Sequence, residues 1–132
     1  MAAVTSTPPF ETFRALALAL EGVVEGAHMG HPDFRVNGRV FASLQHDNLR
    51  GMTKVTPELQ AALIAENEGV FSPASGAWGR QGYTMLDLHA ASPALMRSAL
   101  LLAWETAMAQ PRKTTKKPPS RRRASRVPRK KR

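Results

Sequence analysis

Asp33-Phe34-Arg35-Val36-Asn37-Gly38-Arg39-Val40-Phe41-Ala42-Ser43-Leu44 is the stretch whose reading decides the fold class. Asn37-Gly38 sits between apolar-rich runs, and Asn-Gly is the strongest short-range signal for a two-residue type I′ hairpin because both turn residues need positive φ. That turn predicts Val36 opposite Arg39 and Phe34 opposite Phe41. The two phenylalanines then share one face, while Arg35, Val40, Ala42 and Leu44 share the other. Both faces carry apolar groups, so the register alone leaves the core face open.

Helical signals lie on either side of the hairpin. Thr7 is a candidate N-cap with Pro8 at the first helical position, and Phe10, Phe13, Ala17 and Leu20 recur on one face before Gly22. Thr56-Pro57-Glu58 opens a second, short helix that buries Leu59, Ala62 and Leu63 and stops at Glu68-Gly69. Ser92-Pro93 opens a third that runs to about Ala109, with Leu95, Ala99 and Leu102 on one flank and Leu101, Trp104 and Met108 on another. Strands are predicted at 51–55 and 83–89; in the latter Met85 and Asp87 share one side, Leu86 and Leu88 the other. Helices separated by antiparallel strands predict an α+β fold, an antiparallel sheet with helices packed on one face. They argue against a helix-turn-helix, whose two helices are joined by a short turn.

At 132 residues the chain suits one domain. It has no cysteine, which excludes a disulfide framework, a thiolate metal site and a thiol nucleophile. Its most apolar run, residues 16–24, is interrupted by Glu21 and Gly22 and is too short to span a bilayer. Acidic Glu11 before that run argues against a secretory signal. A cytoplasmic protein is the expectation.

The net charge of +9 is unevenly placed. Residues 1–110 hold seven basic side chains against all ten acidic ones, a net charge of −3. Residues 111–132 carry the other 12 cations and no carboxylate side chain: Arg112, Lys113, Lys116, Lys117, Arg121, Arg122, Arg123, Arg126, Arg129, Lys130, Lys131 and Arg132. This segment buries almost nothing and contains four prolines, so a disordered polybasic tail at 111–132 behind a domain at 1–110 is predicted. Such a tail binds phosphate backbones by releasing counterions. It has no aromatic side chain to stack and no fixed geometry for reading base edges, so its binding is sequence-tolerant. Without an apolar anchor it is not expected to enter a membrane.

The domain offers few chemical motifs. His28, His31 and Asp33 have an H-x-x-H-x-D spacing, but Gly30 and Pro32 make this a turn or strand edge, where helical spacing loses its meaning and no metal is expected. His46 and His89 are isolated. Residues 76–82, Gly-Ala-Trp-Gly-Arg-Gln-Gly, lack the Lys-Ser/Thr of a phosphate-binding loop and read as a flexible lead-in to the strand at Tyr83. Trp78 and Arg80 are nevertheless the best surface candidates for an unstacked base and a phosphate. Pro73-Ala74-Ser75-Gly76 is no nucleophile elbow, and the carboxylates form no obvious catalytic pair, so no enzyme activity and no cofactor are expected.

Four segments together resemble the MmcQ/YjbR family: residues 13–18 (Phe-Arg-Ala-Leu-Ala-Leu), 28–36 (His-Met-Gly-His-Pro-Asp-Phe-Arg-Val), 54–58 (Lys-Val-Thr-Pro-Glu) and 76–84 (Gly-Ala-Trp-Gly-Arg-Gln-Gly-Tyr-Thr). The resemblance covers about residues 8–109 and leaves the tail outside. It implies a compact fold similar to the frataxin-like CyaY arrangement, described as a double-wing DNA-binding shape, and DNA rather than RNA as partner. Where family members often carry a basic or histidine-containing run, this chain has Gly79-Arg80-Gln81-Gly82, with one charge. The combined expectation is a non-enzymatic, nucleic-acid-associated protein, at the nucleoid if DNA is the partner. Its tail supplies affinity, and Lys54, Arg39 and Arg80 add contacts. The alternative is a small-molecule or protein-binding domain using a cleft near His31, Phe34 and Trp78, with the tail serving solubility.

Overall fold

Asn37 and Gly38 both adopt positive φ, 57° and 75°, and the hairpin they close is the centre of the sheet topology. The computed structural model describes residues 7–28, 30–45 and 47–111, with His28 described through its backbone; the expected tail with its twelve cations, and His46, lie outside these residues. Element order is α1 (Pro9–Leu18), β1 (Val24–His28), β2 (His31–Val36), β3 (Arg39–Leu44), β4 (Arg50–Lys54), α2 (Pro57–Glu66), β5 (Phe71–Pro73), α3 (Gly76–Arg80), β6 (Tyr83–Asp87) and α4 (Pro93–Met108). The six strands form one sheet in the order β1-β2-β3-β4-β6-β5, with every pairing antiparallel. The fold is α+β, as the hairpin and its flanking helices predict.

The hairpin register departs from expectation one step from the turn. Val36 opposes Arg39 and Arg35 opposes Val40, but Phe34 then opposes Ala42. Phe41 is the extra residue of a β-bulge, and both Phe41 and Ala42 are fully buried. The bulge lets the Phe41 ring enter the core and still keeps Ala42 and Leu44 on the core side with Phe34 and Val36. The opposite face retains Arg35 and Val40. Ala42 and Leu44 therefore do not share a face with Arg35.

Three helices cover the core side. In α1 the N-cap is Pro8 rather than Thr7, and Pro9 takes the first helical position. Proline fixes φ at a helical value and lacks the N–H that the first turn leaves unpaired, so the two-proline start is shifted by one residue at no cost. Phe13 and Ala17 are buried, and the Phe13 ring lies over Gly51, where an added Cβ would stand 2.9 Å from ring carbon Cζ. α2 is capped by Thr56, whose Oγ1 accepts from the Leu59 N–H at 3.1 Å. α2 buries Leu63 and half-buries Leu59, but Ala62 is exposed, because only one narrow stripe of α2 meets the sheet. α4 is capped by Ser92 and buries Met96, Ala99, Leu100, Ala103 and Ala107. Its small alanines allow a close approach to β3 and β4, while Leu101 and Met108, expected on a packed flank, are exposed. Trp104 is half-buried, and its Nε1 donates to the Glu21 carbonyl oxygen at 2.9 Å.

Three elements depart from the expectation. β1 pairs the edge of β2, β5 pairs the edge of β6, and residues 76–80, expected as a flexible lead-in, form the short helix α3. Among the described residues no helix is long and apolar enough to cross a membrane.

Candidate nucleic-acid interface

With α1, α2 and α4 packed on one side, the other side of the sheet is open except where α3 sets Trp78 against Tyr83. Alternation along each strand decides what it presents: Arg35 from β2, Val40 from β3, Met52 and Lys54 from β4, and Tyr83 and Met85 from β6. Antiparallel pairing of β4 with β6 sets Lys54 opposite Tyr83 and Met52 opposite Met85. Lys54 Nζ lies 5.3 Å from the centroid of the Tyr83 ring, a cation–π distance. The Trp78 ring meets Tyr83 edge-to-face with centroids 5.0 Å apart, and Trp78 is 60% exposed. α3 can carry Trp78 to this position because Gly79 has no side chain; an added Cβ would strike the Ala74 carbonyl oxygen.

Tyr83 is the shared wall of two hollows. One, about 310 Å³, is lined by Arg35, Gly38, Arg39, Val40, Lys54 and Tyr83, with no carboxylate among them. The other, about 640 Å³, has a floor of Met52 and Met85 and walls that include Trp78, Tyr83, Gln45 and Arg50. A third hollow of about 280 Å³ lies toward β1 and contains His31, Asp33, Arg35, Val40 and Ser43.

The electrostatics of this face follow from two ion pairs. Asp33, nearly buried, accepts from Arg35 Nε at 2.9 Å and from Nη2 at 3.1 Å, a bidentate pair. The hydrogen bond from Arg35 to Asp33, and then the Asp33 charge, hold the Arg35 guanidinium above its ordinary pKa despite some desolvation. Gly26 of β1 leaves room for the pair; a Cβ there would stand 2.9 Å from Asp33 Oδ1. Asp47 accepts from the Leu49 N–H at 2.9 Å and from Arg50 Nη2 at 3.1 Å. Both neighbours hold its carboxyl below the ordinary range, the Leu49 hydrogen bond most of all. On the helical side, Glu11, Glu58, Glu66 and Glu105 are exposed on α1, α2 and α4. Four of the ten carboxylates thus ride on the helices, Asp33 and Asp87 lie on the open face of the sheet, and the hollow around Lys54 is lined by cations without a carboxylate.

The same corner holds the end of α4. Asn37 Nδ2 donates to the carbonyl oxygens of Ala107, at 3.0 Å, and Gln110, at 2.8 Å. Arg39 Nη2 donates to the Pro111 carbonyl oxygen at 2.9 Å. The hairpin tip therefore clamps the last turn of α4, and Pro111 lies beside the cationic hollow that Arg39 lines.

Of the site residues expected from sequence, Arg39 and Lys54 come together in that hollow. Arg80, the exposed last residue of α3, lines neither it nor the hollow under Trp78. The cleft of His31, Phe34 and Trp78 does not assemble: Phe34 is fully buried on the core side by strand alternation, and His31 and Trp78 line separate hollows. The twelve tail cations lie outside the described residues. His28 and His31 pair across the tight β1–β2 turn through their backbones, and among the described residues no group of three His, Cys, Asp or Glu is placed to hold a metal. Arg35, Met52, Tyr83 and Met85 escaped the sequence reading. Period-two alternation could have put Met52 with Lys54, and Tyr83 with Met85, but the register that joins the two pairs is tertiary.

No curated protein matches the chain. Among solved structures, a Deinococcus radiodurans protein, DR2400, which carries a DUF419 domain, is similar with a TM-score of 0.64 at 19% identity, over 80% of this chain and 84% of that one. That likeness shows a shared fold. The YjbR family model matches residues 18–106, from the end of α1 to the last turn of α4, and so spans the whole sheet. The chain belongs to the YjbR family.

Proposed function

We propose that this protein is a non-enzymatic DNA-binding protein in which the cationic residues beyond Pro111 and the hollow around Lys54 contact the same nucleic acid. The observation that carries this reading is the hydrogen bond from Arg39 to the Pro111 carbonyl oxygen. It starts a segment with 12 cations and no carboxylate side chain at the edge of the hollow that Arg35, Arg39 and Lys54 line. Phosphates bound to the tail are thereby held close to the sheet face, at high effective concentration. Lysine and arginine on a backbone give affinity without base readout, so binding is sequence-tolerant. The face offers guanidinium, ammonium, phenol, indole and thioether groups, a set that suits holding an anion and a planar ring. A cytoplasmic, nucleoid-associated location follows from this reading.

Fluorescence anisotropy with a labelled DNA duplex tests it. The full-length chain should bind at about 0.1 M salt. A full-length variant with the twelve tail cations changed to glutamine should bind at least about 100-fold more weakly. Undiminished affinity in that variant would remove the tail from the site, and a wild-type chain that binds no DNA would refute the reading.

A further inference from the structure

We infer that the two hollows flanking Tyr83 together take an unpaired nucleotide, so that the sheet face distinguishes single-stranded from duplex DNA. This rests on the DNA-binding reading above and adds a preference that the tail cannot supply. The two hollows that share Tyr83 differ in chemistry. On one side Arg39 and Lys54 line a hollow with no carboxylate, and Arg35 in the same lining is paired with Asp33. On the other side Trp78 stands over a floor of Met52 and Met85. Lys54 Nζ and the Trp78 ring each lie about 5 Å from the Tyr83 centroid, so the cationic and aromatic ends are separated by one ring. A phosphate at the first end and its own base at the second match that scale.

Trp78 is unusual in this protein. Phe13, Phe34 and Phe41 are fully buried, whereas Trp78 is held by α3 with 60% of its surface in water. An indole fixed by an edge-to-face contact and otherwise uncovered is a stacking platform. Bases stack on such rings whatever their identity, and thioether sulfur also packs well against aromatic edges. A base inside a duplex has both faces occupied by its neighbours and cannot reach the indole, so this end rewards unpaired strands alone.

The test uses the full-length chain with a labelled oligothymidylate and a duplex of equal length at the same salt. Trp78→Ala should lower single-strand affinity by about tenfold, with duplex affinity changed by less than about twofold. Trp78→Phe, which keeps a ring, should recover most of the loss, and the thermal melt of Trp78→Ala should fall only slightly, by the lost edge-to-face contact with Tyr83. Equal losses on both DNAs, or no loss on the single strand, would overturn the inference while leaving tail-driven binding intact. Failure of the wild-type chain to bind either DNA would overturn both.

Discussion

Arg39 Nη2 donates to the carbonyl oxygen of Pro111 at 2.9 Å, so the tip of the β2–β3 hairpin is bonded to the last described residue of the chain. The neighbouring Asn37 makes two further bonds to the end of α4. A helix end with unpaired carbonyls is thus capped by a turn from the sheet, a long-range version of the usual local cap.

Replacing Asn37 separates two effects. Its side chain serves Ala107 and Gln110, and its backbone sits at φ 57°, where alanine is strained. Asn37→Gly removes the side-chain bonds but not the backbone fit and should cost about 1 kcal/mol. Asn37→Ala should cost about 1 kcal/mol more. Urea unfolding of the two variants checks the order, and equal losses would contradict it.

Gly82 is where β6 begins beside the end of β4. The Val55 N–H donates to the Gly82 carbonyl oxygen, and an added Cβ at φ 105° would collide with the Val55 carbonyl oxygen. Gly82→Ala should therefore destabilise by about 3 kcal/mol or more. Gly69 also has positive φ but open space around it, so Gly69→Ala should cost only about 1 kcal/mol. Denaturant midpoints for the pair measure the difference.

These positions also mark what the amino-acid sequence makes legible. Asn37-Gly38 was readable because its signal is a backbone preference carried by two adjacent residues. The caps Thr56 and Ser92 were readable for the same reason. The bulge at Phe41 was not, since it answers the need to seat a ring under α4, which no local pattern encodes. β1 contains Glu25 and Gly26, its Val24 is 65% exposed, and it exists only by pairing with β2. α3 hid behind two glycines that read as a loop, although Gly79 is there to let the helix touch Ala74. For the site, Arg39 and Lys54 were visible as cations, but their partnership with Arg35 and Tyr83 needs the β4–β6 register. Phe34, expected in the cleft, is turned inward by strand alternation and is fully buried.

Stability should fall with acid partly through Asp47. Its folded carboxyl is held below the ordinary value by the Leu49 N–H and by Arg50. A depressed folded pKa means a contribution that is complete above the unfolded value, about 4, and lost as pH falls through the folded one. The melting temperatures of wild type and Asp47→Asn should differ most near neutral pH, begin to approach each other below about pH 4 and converge only below the depressed folded pKa. A gap that persists or widens in acid would reverse the sign and contradict the assignment.

The salt dependence of duplex binding tests the central claim most directly, because it counts the phosphates engaged and shows where the cations that engage them lie. For the full-length chain, log affinity against log salt should be linear with a slope of about −5 or steeper. Arg39→Gln with Lys54→Gln should make it shallower by about 2, and neutralising residues beyond Pro111 should remove most of the remainder. A slope near zero in the wild type, or one that neither set of changes alters, would contradict a nucleic-acid interface shared by the sheet face and the tail.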